Sequence, residues 1–132
     1  MKIRLKNKED IEGLAKSGRI LRAVLARLES SVKPGVKTKE IDDLSRELIV
    51  SAKAKPSFLN YRPEGAIKAF PVSVCVSVND TVVHGVPGDY VIRSGDLVKL
   101  DLGIDLNGYF TDSAVTVIAG KTTPKVKLLV KA

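Results

Sequence analysis

Two aspartates, Asp101 and Asp112, flank an Asn107-Gly108 dipeptide, and the one histidine of the chain lies upstream in His84-Gly85-Val86-Pro87. Two carboxylates aimed at one point can hold a hard or borderline divalent ion. A neutral imidazole beside them can move a proton near neutral pH or donate to a substrate amide. Asn-Gly between alternating apolar residues is a strong signal for a two-residue hairpin. With that loop, Leu106 pairs with Tyr109, Gly103 faces Asp112 and Asp101 faces Ala114. Alternate residues on a strand share a face, so Asp101 and Asp112 become diagonal neighbours about 7–8 Å apart at the backbone. Gly103 is expected to leave space between them, and Ala114 keeps the adjoining position small. Spacing alone nonetheless favours a solvated hairpin face, because Lys99, Asp101, Asp105 and Asp112 all lie on it. Two carboxylates also fall short of the roughly four to six ligands a metal takes. Asp105 is a third candidate, nearer the rim. A lone histidine is more often a surface or core residue than a catalyst. Cys75 can border a pocket, but nothing beside it marks a reactive thiolate.

The elements that must position these groups follow from periodicity. Ile11, Leu14, Ala15, Gly18, Leu21, Leu25 and Leu28 keep a 3.6-residue spacing after a potential cap at Asn7, predicting a helix over residues 8–31. Thr38 is expected to cap a second helix reaching about Lys53, with Ile41, Leu44, Leu48 and Ala52 inward, until Lys55-Pro56 stops it. Residues 56–70 form a loop whose aromatics Phe58, Tyr61 and Phe70 either line a pocket or pin the loop to the body. From Val72 the period becomes two: Val72, Val74, Val76 and Val78 share one face, and Ser73, Cys75 and Ser77 the other. Residues 86–96 form a loop, the hairpin strands follow, and a third helix begins after Pro124.

The totals bound the class. The chain of 132 residues is 44% apolar and 28% charged, which suits a folded domain or half of something larger. No apolar run approaches the ~20 residues of a membrane span, and no secretory leader is visible. With a single cysteine and no leader, a reducing cytoplasm is the expected location. Residues 1–55 carry 14 Lys/Arg against 8 Asp/Glu, while residues 56–120 carry 4 against 7. The basic helices could meet RNA or an acidic surface, although lysines on exposed helix faces commonly serve solubility alone.

Three ordered motifs resemble the type I methionine aminopeptidase family. They are Ser73-Val-Cys-Val-Ser-Val-Asn79-Asp80-Thr-Val-Val-His84-Gly85-Val-Pro87, Gly95-Asp96-Leu-Val-Lys-Leu-Asp101-Leu-Gly103, and Gly108-Tyr109-Phe-Thr-Asp112. The basic first helix and Lys33-Pro34-Gly35 are similar too, so the resemblance covers essentially the whole chain. It implies the N-terminal half of the pita-bread (creatinase/aminopeptidase) fold: an α+β architecture with two long helices on a mainly antiparallel sheet. Residues 1–132 would be the N-terminal portion of the enzyme domain, with the C-terminal half absent. The implied activity is removal of the initiator methionine from the N-terminus of nascent peptides by two divalent ions, drawn from cobalt, manganese, iron or zinc. Asp101 would chelate one metal and Asp112 would bridge both, while His84 would contact the scissile amide. Phe58, Tyr61, Phe70 and Cys75 would line the methionine pocket, and Asn79 lies near a monovalent-cation position of some members. The stretch Arg62–Ala69 looks longer than the shortest family version. The family draws a histidine and two glutamates from its second half, so this chain would be inactive alone. Two other readings compete: a binding module touching the ribosome or nascent chain through its basic helices, and a half-domain that associates with a second copy.

Overall fold

A computed structural model of the chain describes residues 5–131. Asn7 and Asp10 open the first helix, α1 (Lys8–Ser31), with a reciprocal cap. The Asn7 side chain accepts the Asp10 amide at 2.8 Å, and the Asp10 carboxylate accepts the Asn7 amide at 3.1 Å. Two amides that the first turn leaves without helical partners are thereby satisfied. The helix spans the predicted residues, but its inner face is rotated from the predicted one. Ser17, Leu21, Val24 and Leu28 are buried, whereas Ile11 is 55% exposed and Ala15 is exposed. Contact with the sheet selects this stripe, because Gly13 lets the Tyr109 ring lie where a β-carbon would stand.

The second helix, α2 (Thr38–Ser51), is shorter than predicted and is capped at Lys37 rather than Thr38. Glu40 accepts the Lys37 amide at 2.7 Å, while the Thr38 hydroxyl donates to the Gly88 carbonyl at 3.0 Å. Thr38 therefore ties the helix to the loop after His84. Lys53, at φ 58°, turns the chain out of the helix before the proline is reached. The buried face is Ile41, Ser45 and Ile49, with Leu44 and Leu48 packed at its margin and Ala52 half-buried.

The strands are β1 (Lys55–Pro56), β2 (Cys75–Val78), β3 (Leu97–Leu106) and β4 (Tyr109–Ile118), followed by helix α3 (Pro124–Lys131). All pairings are antiparallel: β3 is central, β1 and β2 lie along one side of it, and β4 lies along the other. The hairpin register is the predicted one, with Leu106 opposite Tyr109, Gly103 opposite Asp112 and Asp101 opposite Ala114. Asn107 and Gly108 take φ of 55° and 87°, the left-handed pair a type I′ turn requires.

The strand predicted from Val72 is laddered only from Cys75. Upstream, the Ser73 and Val74 amides donate to the buried Asp42 carboxylate at 2.7 and 3.3 Å, so a side chain replaces the ladder. The expected polar face of Ser73, Cys75 and Ser77 is buried as well. One side of the sheet forms the core, where Val98, Leu100, Leu102 and Ile104 pack with Leu21, Val24, Leu28, Ile41 and Ile49 of the helices. The other side carries Asp101, Gly103 and Asp112, because side chains alternate across a strand. Among the described residues no helix is long and apolar enough to cross a membrane.

Candidate metal centre

Asp101 sits mid-strand on β3, half-buried, and Asp112 sits on the exposed side of β4. Burial first, and then the neighbouring Asp112 carboxylate, hold the Asp101 carboxyl above the usual carboxylate range. The two carboxyls are close enough to share a hydrogen bond, and His84 acts on Asp101 in the opposite direction. The hairpin therefore brings the pair together as its register requires, with the histidine within electrostatic reach. Cys75, the β2 partner of Asp101, lies in the same field. Its thiol is pushed up to about 11 by burial and then by Asp101 and Asp112, which makes it a wall residue rather than a nucleophile.

His84 is exposed and holds φ 57°, an uncommon conformation for a residue with a β-carbon. The following Gly85 fixes it there. The Gly85 amide donates to the Ser77 hydroxyl at 3.0 Å, and its carbonyl accepts the Val76 amide at 2.9 Å. A β-carbon on Gly85 would collide with the Val76–Ser77 backbone, so only glycine lets the loop seat on the free side of β2. A groove of about 670 Å³ opens beside His84, lined by Thr38, Val76, Val78, Val86 and Tyr90 among others. Asp101, Asp112 and Cys75 do not line it, so its size does not mark the chemistry.

Gly103 does not leave the expected space between the aspartates. The Ser57 hydroxyl and the Phe58 ring fill it, and the Ser57 amide donates to the Gly103 carbonyl at 3.0 Å. Phe58 and Phe70 meet edge to face with centroids 6.4 Å apart, while Tyr61 is 60% exposed. The excursion 62–69 is closed at its neck by Asn60 and Tyr61 bonding Phe70, each at 2.8 Å. The extra length thus leaves Phe58 and Phe70 together. Asp105, the third candidate, caps the turn instead, accepting the Gly108 amide at 2.7 Å. The Asn79 side chain donates to the Asp96 carboxylate at 3.0 Å and accepts the Leu97 amide at 2.9 Å, and the Asn79 main-chain carbonyl accepts the Lys99 ammonium. The cation facing that carbonyl is therefore a lysine. Ser57 and Asp42 were missed by the sequence reading. Asp42 follows Ile41 on the inner stripe of α2, and an acid at such a position was the available signal.

The sequence model of metallopeptidase family M24 matches residues 12–132. The chain belongs to metallopeptidase family M24. Methionine aminopeptidase of Helicobacter pylori is 40% identical over 125 residues, covering 95% of this chain and 47% of that protein. The Aquifex aeolicus methionine aminopeptidase is 41% identical over 133 residues, covering 100% of this chain and 52% of its own. The crystal structure of methionine aminopeptidase from Rickettsia prowazekii superposes with TM-score 0.91 at 31% identity, over 98% of this chain and 50% of that one. A Pyrococcus furiosus prolidase, 22% identical with TM-score 0.78 over 96% of this chain and 34% of its own, shares the fold. This M24 chain thus has the α+β architecture of about half a pita-bread fold, and it spans about half the length of the curated relatives it matches. The family implies divalent metal cofactors. The donor chemistry fits in part: two carboxylates, drawn together against their own repulsion, are what a hard or borderline dication relieves. Among the described residues no three His, Cys, Asp or Glu side chains converge, so the donor set stops at two.

Proposed function

We propose that this M24 chain supplies part of a methionyl aminopeptidase site that removes the initiator methionine from nascent polypeptides, and that it is inactive alone. The observation that carries this reading is the close pairing of Asp101 and Asp112 with His84 in their field. Asp101 would hold one of two divalent ions and Asp112 would bridge both; oxygen donors of this kind suit manganese, iron, cobalt or zinc. The chemistry such ions supply when bound is polarisation of an amide carbonyl and acidification of water. His84, exposed at the end of its loop, would donate to the scissile amide and pass a proton to the leaving amine. Phe58, Phe70 and Cys75 offer an apolar wall, which suits a thioether side chain. Inactivity of the chain by itself follows from the ligand count, since two carboxylates leave a divalent ion mostly hydrated.

The test is methionine release from Met-Ala-Ser, followed by mass spectrometry with manganese or cobalt present. The chain alone is expected to release none. Joined after residue 132 to the remaining half of the Aquifex aeolicus relative, it should gain metal-dependent release. Asp112→Asn should abolish that release, and His84→Ala should lower kcat at least about a hundredfold. A folded, metal-binding chimera without release, or full activity in the Asp112→Asn chimera, would sink the proposal.

A further inference from the structure

We propose that Thr38, the first residue of α2, is a positioning residue for His84: it holds the segment 85–88 through which the histidine is aimed at the carboxylate pair. The proposal rests on the role given to His84 above. Little on the upstream side can aim it. Among the described residues, positions 80–83 are exposed and make one hydrogen bond, from the Thr81 amide to the Val78 carbonyl at 3.1 Å. His84 stands at φ 57°, and its own main chain makes none among the described residues.

Downstream the chain is fixed almost residue by residue. Gly85 seats on β2 through the Ser77 hydroxyl and the Val76 amide. Pro87 locks its own φ at about −65° and confines Val86 before it to extended backbone. Gly88 is then gripped twice by one atom: the Thr38 hydroxyl donates to its carbonyl at 3.0 Å and accepts its amide at 2.9 Å. The amides of Thr38 and Lys39, which a first helical turn leaves without helical partners, donate to the Tyr90 and Gly88 carbonyls, each at 3.0 Å. Farther on, the Ile92 amide donates to the Val36 carbonyl at 2.9 Å, and the Ile92 carbonyl accepts the Gly35 amide at 2.8 Å. Thr38 is 3% exposed, which shields its two side-chain bonds from competing water. Only a hydroxyl both donates and accepts through one oxygen, so serine is the one residue that could stand in for it here. The side-chain bonds of Thr38 run to Gly88 alone, so its effect on the chemistry passes through the segment that ends in His84. An exposed imidazole on a soft loop spreads over many positions, and a misplacement of about 1 Å can cost about a hundredfold in rate.

The test has two arms. In the chimera with the Aquifex aeolicus half, Thr38→Val keeps the shape and removes the hydroxyl. It should lower kcat for Met-Ala-Ser about tenfold with KM within about twofold, and Thr38→Ser should restore the rate. In the His84→Ala chimera the same Thr38→Val change should cost nothing further, because the residue through which it acts is gone. The second arm needs no activity. His84 is the one histidine of the 132-residue chain, so its imidazole signal in an NMR spectrum is unambiguous. That signal should be narrow and displaced from its position in the urea-unfolded chain. Thr38→Val should broaden it or move it toward the unfolded position, with the circular dichroism spectrum unchanged; Thr38→Ala should act alike and Thr38→Ser should not. An unmoved histidine signal in folded Thr38→Val overturns the proposal, and so does a kcat loss that persists in full in the His84→Ala chimera. A chimera that releases no methionine with Thr38 intact strikes the proposed activity instead, and the histidine signal then decides whether Thr38 holds His84.

Discussion

Burial and two adjacent carboxylates act on Cys75 together, and the consequence is measurable at the level of one atom. With its thiol pushed up to about 11, the thiolate fraction at pH 8 is about two orders of magnitude below that of an ordinary cysteine near 8.5. Alkylation by iodoacetamide at pH 8 should be about a hundredfold slower than that of glutathione. Asp112→Asn, which removes one of the opposing charges, should speed it. Alkylation as fast as that of glutathione, or unmoved by Asp112→Asn, would show that the carboxylates do not face the sulfur. Asp96 behaves oppositely. Burial pushes its carboxyl up, but the Arg93 amide, the Asn79 side-chain amide and the Tyr90 hydroxyl outweigh that, and the net shift is downward. A carboxyl held lower in the folded state than in the unfolded chain stabilises above the unfolded value, about 3.9. That contribution is lost as pH falls from there through the folded value. Urea midpoints measured between neutral pH and about pH 2 should therefore decline less steeply on the acid side in Asp96→Asn. An identical slope would remove Asp96 from the acid response. The Asp101–Asp112 pairing was legible in the sequence because a two-residue turn fixes register by counting alone. The Asp96 network was not, because Asn79 lies 17 residues away and only the folded loop brings it near.

Elements are joined here by a few polar side chains, and those joints were the least legible part of the fold. Asp42 on α2 accepts the Ser73 amide at 2.7 Å, the Ser73 hydroxyl at 2.6 Å and the Val74 amide at 3.3 Å. It thereby holds the segment that delivers Cys75 into the sheet. Asp42→Ala leaves two buried amides without partners and should cost about 2–4 kcal/mol, read as a fall in the urea midpoint. A loss under about 0.5 kcal/mol, the level of an ordinary surface change, would mean that water replaces the carboxylate. Ser45, on the same helix, makes the reverse case: its buried hydroxyl has no hydrogen-bond partner among the described residues. Ser45→Ala removes that group and should be neutral or stabilising by up to about 1 kcal/mol; a clear destabilisation would reveal an unseen partner. The length of α1 was legible because its cap and periodicity are local, whereas α2 is capped one residue earlier and ends sooner than predicted, at the Lys53 turn. The buried faces of α1 and α2 were not legible, because each sequence carries neighbouring apolar stripes. Contact with the sheet chooses between them, on α1 through Gly13 against the Tyr109 ring of β4.

For the molecule as a whole, the decisive quantity is the number of ligands the sheet can bring to one point. The antiparallel arrangement places every large buried aliphatic of β3 on the helix side and leaves Asp101 and Asp112 on the other. Neither α1 nor α2, which pack on the core side, can add a ligand through the sheet, and Asp105 is committed to its turn. A two-carboxylate site binds divalent ions at roughly millimolar strength. At about ten times that dissociation constant, binding to the folded state alone adds about 1.4 kcal/mol. For a chain of this size that raises Tm by about 5 °C. Manganese should therefore produce a small shift in a thermal melt of the parent chain, and Asp112→Asn should remove it. A shift of tens of degrees would mean that more ligands converge than the hairpin supplies. A shift unchanged by Asp112→Asn would place the ion elsewhere. Either result would separate the metal site from the carboxylate pair, whereas the small, Asp112-dependent shift ties the affinity of the whole chain to the two residues its hairpin aligns.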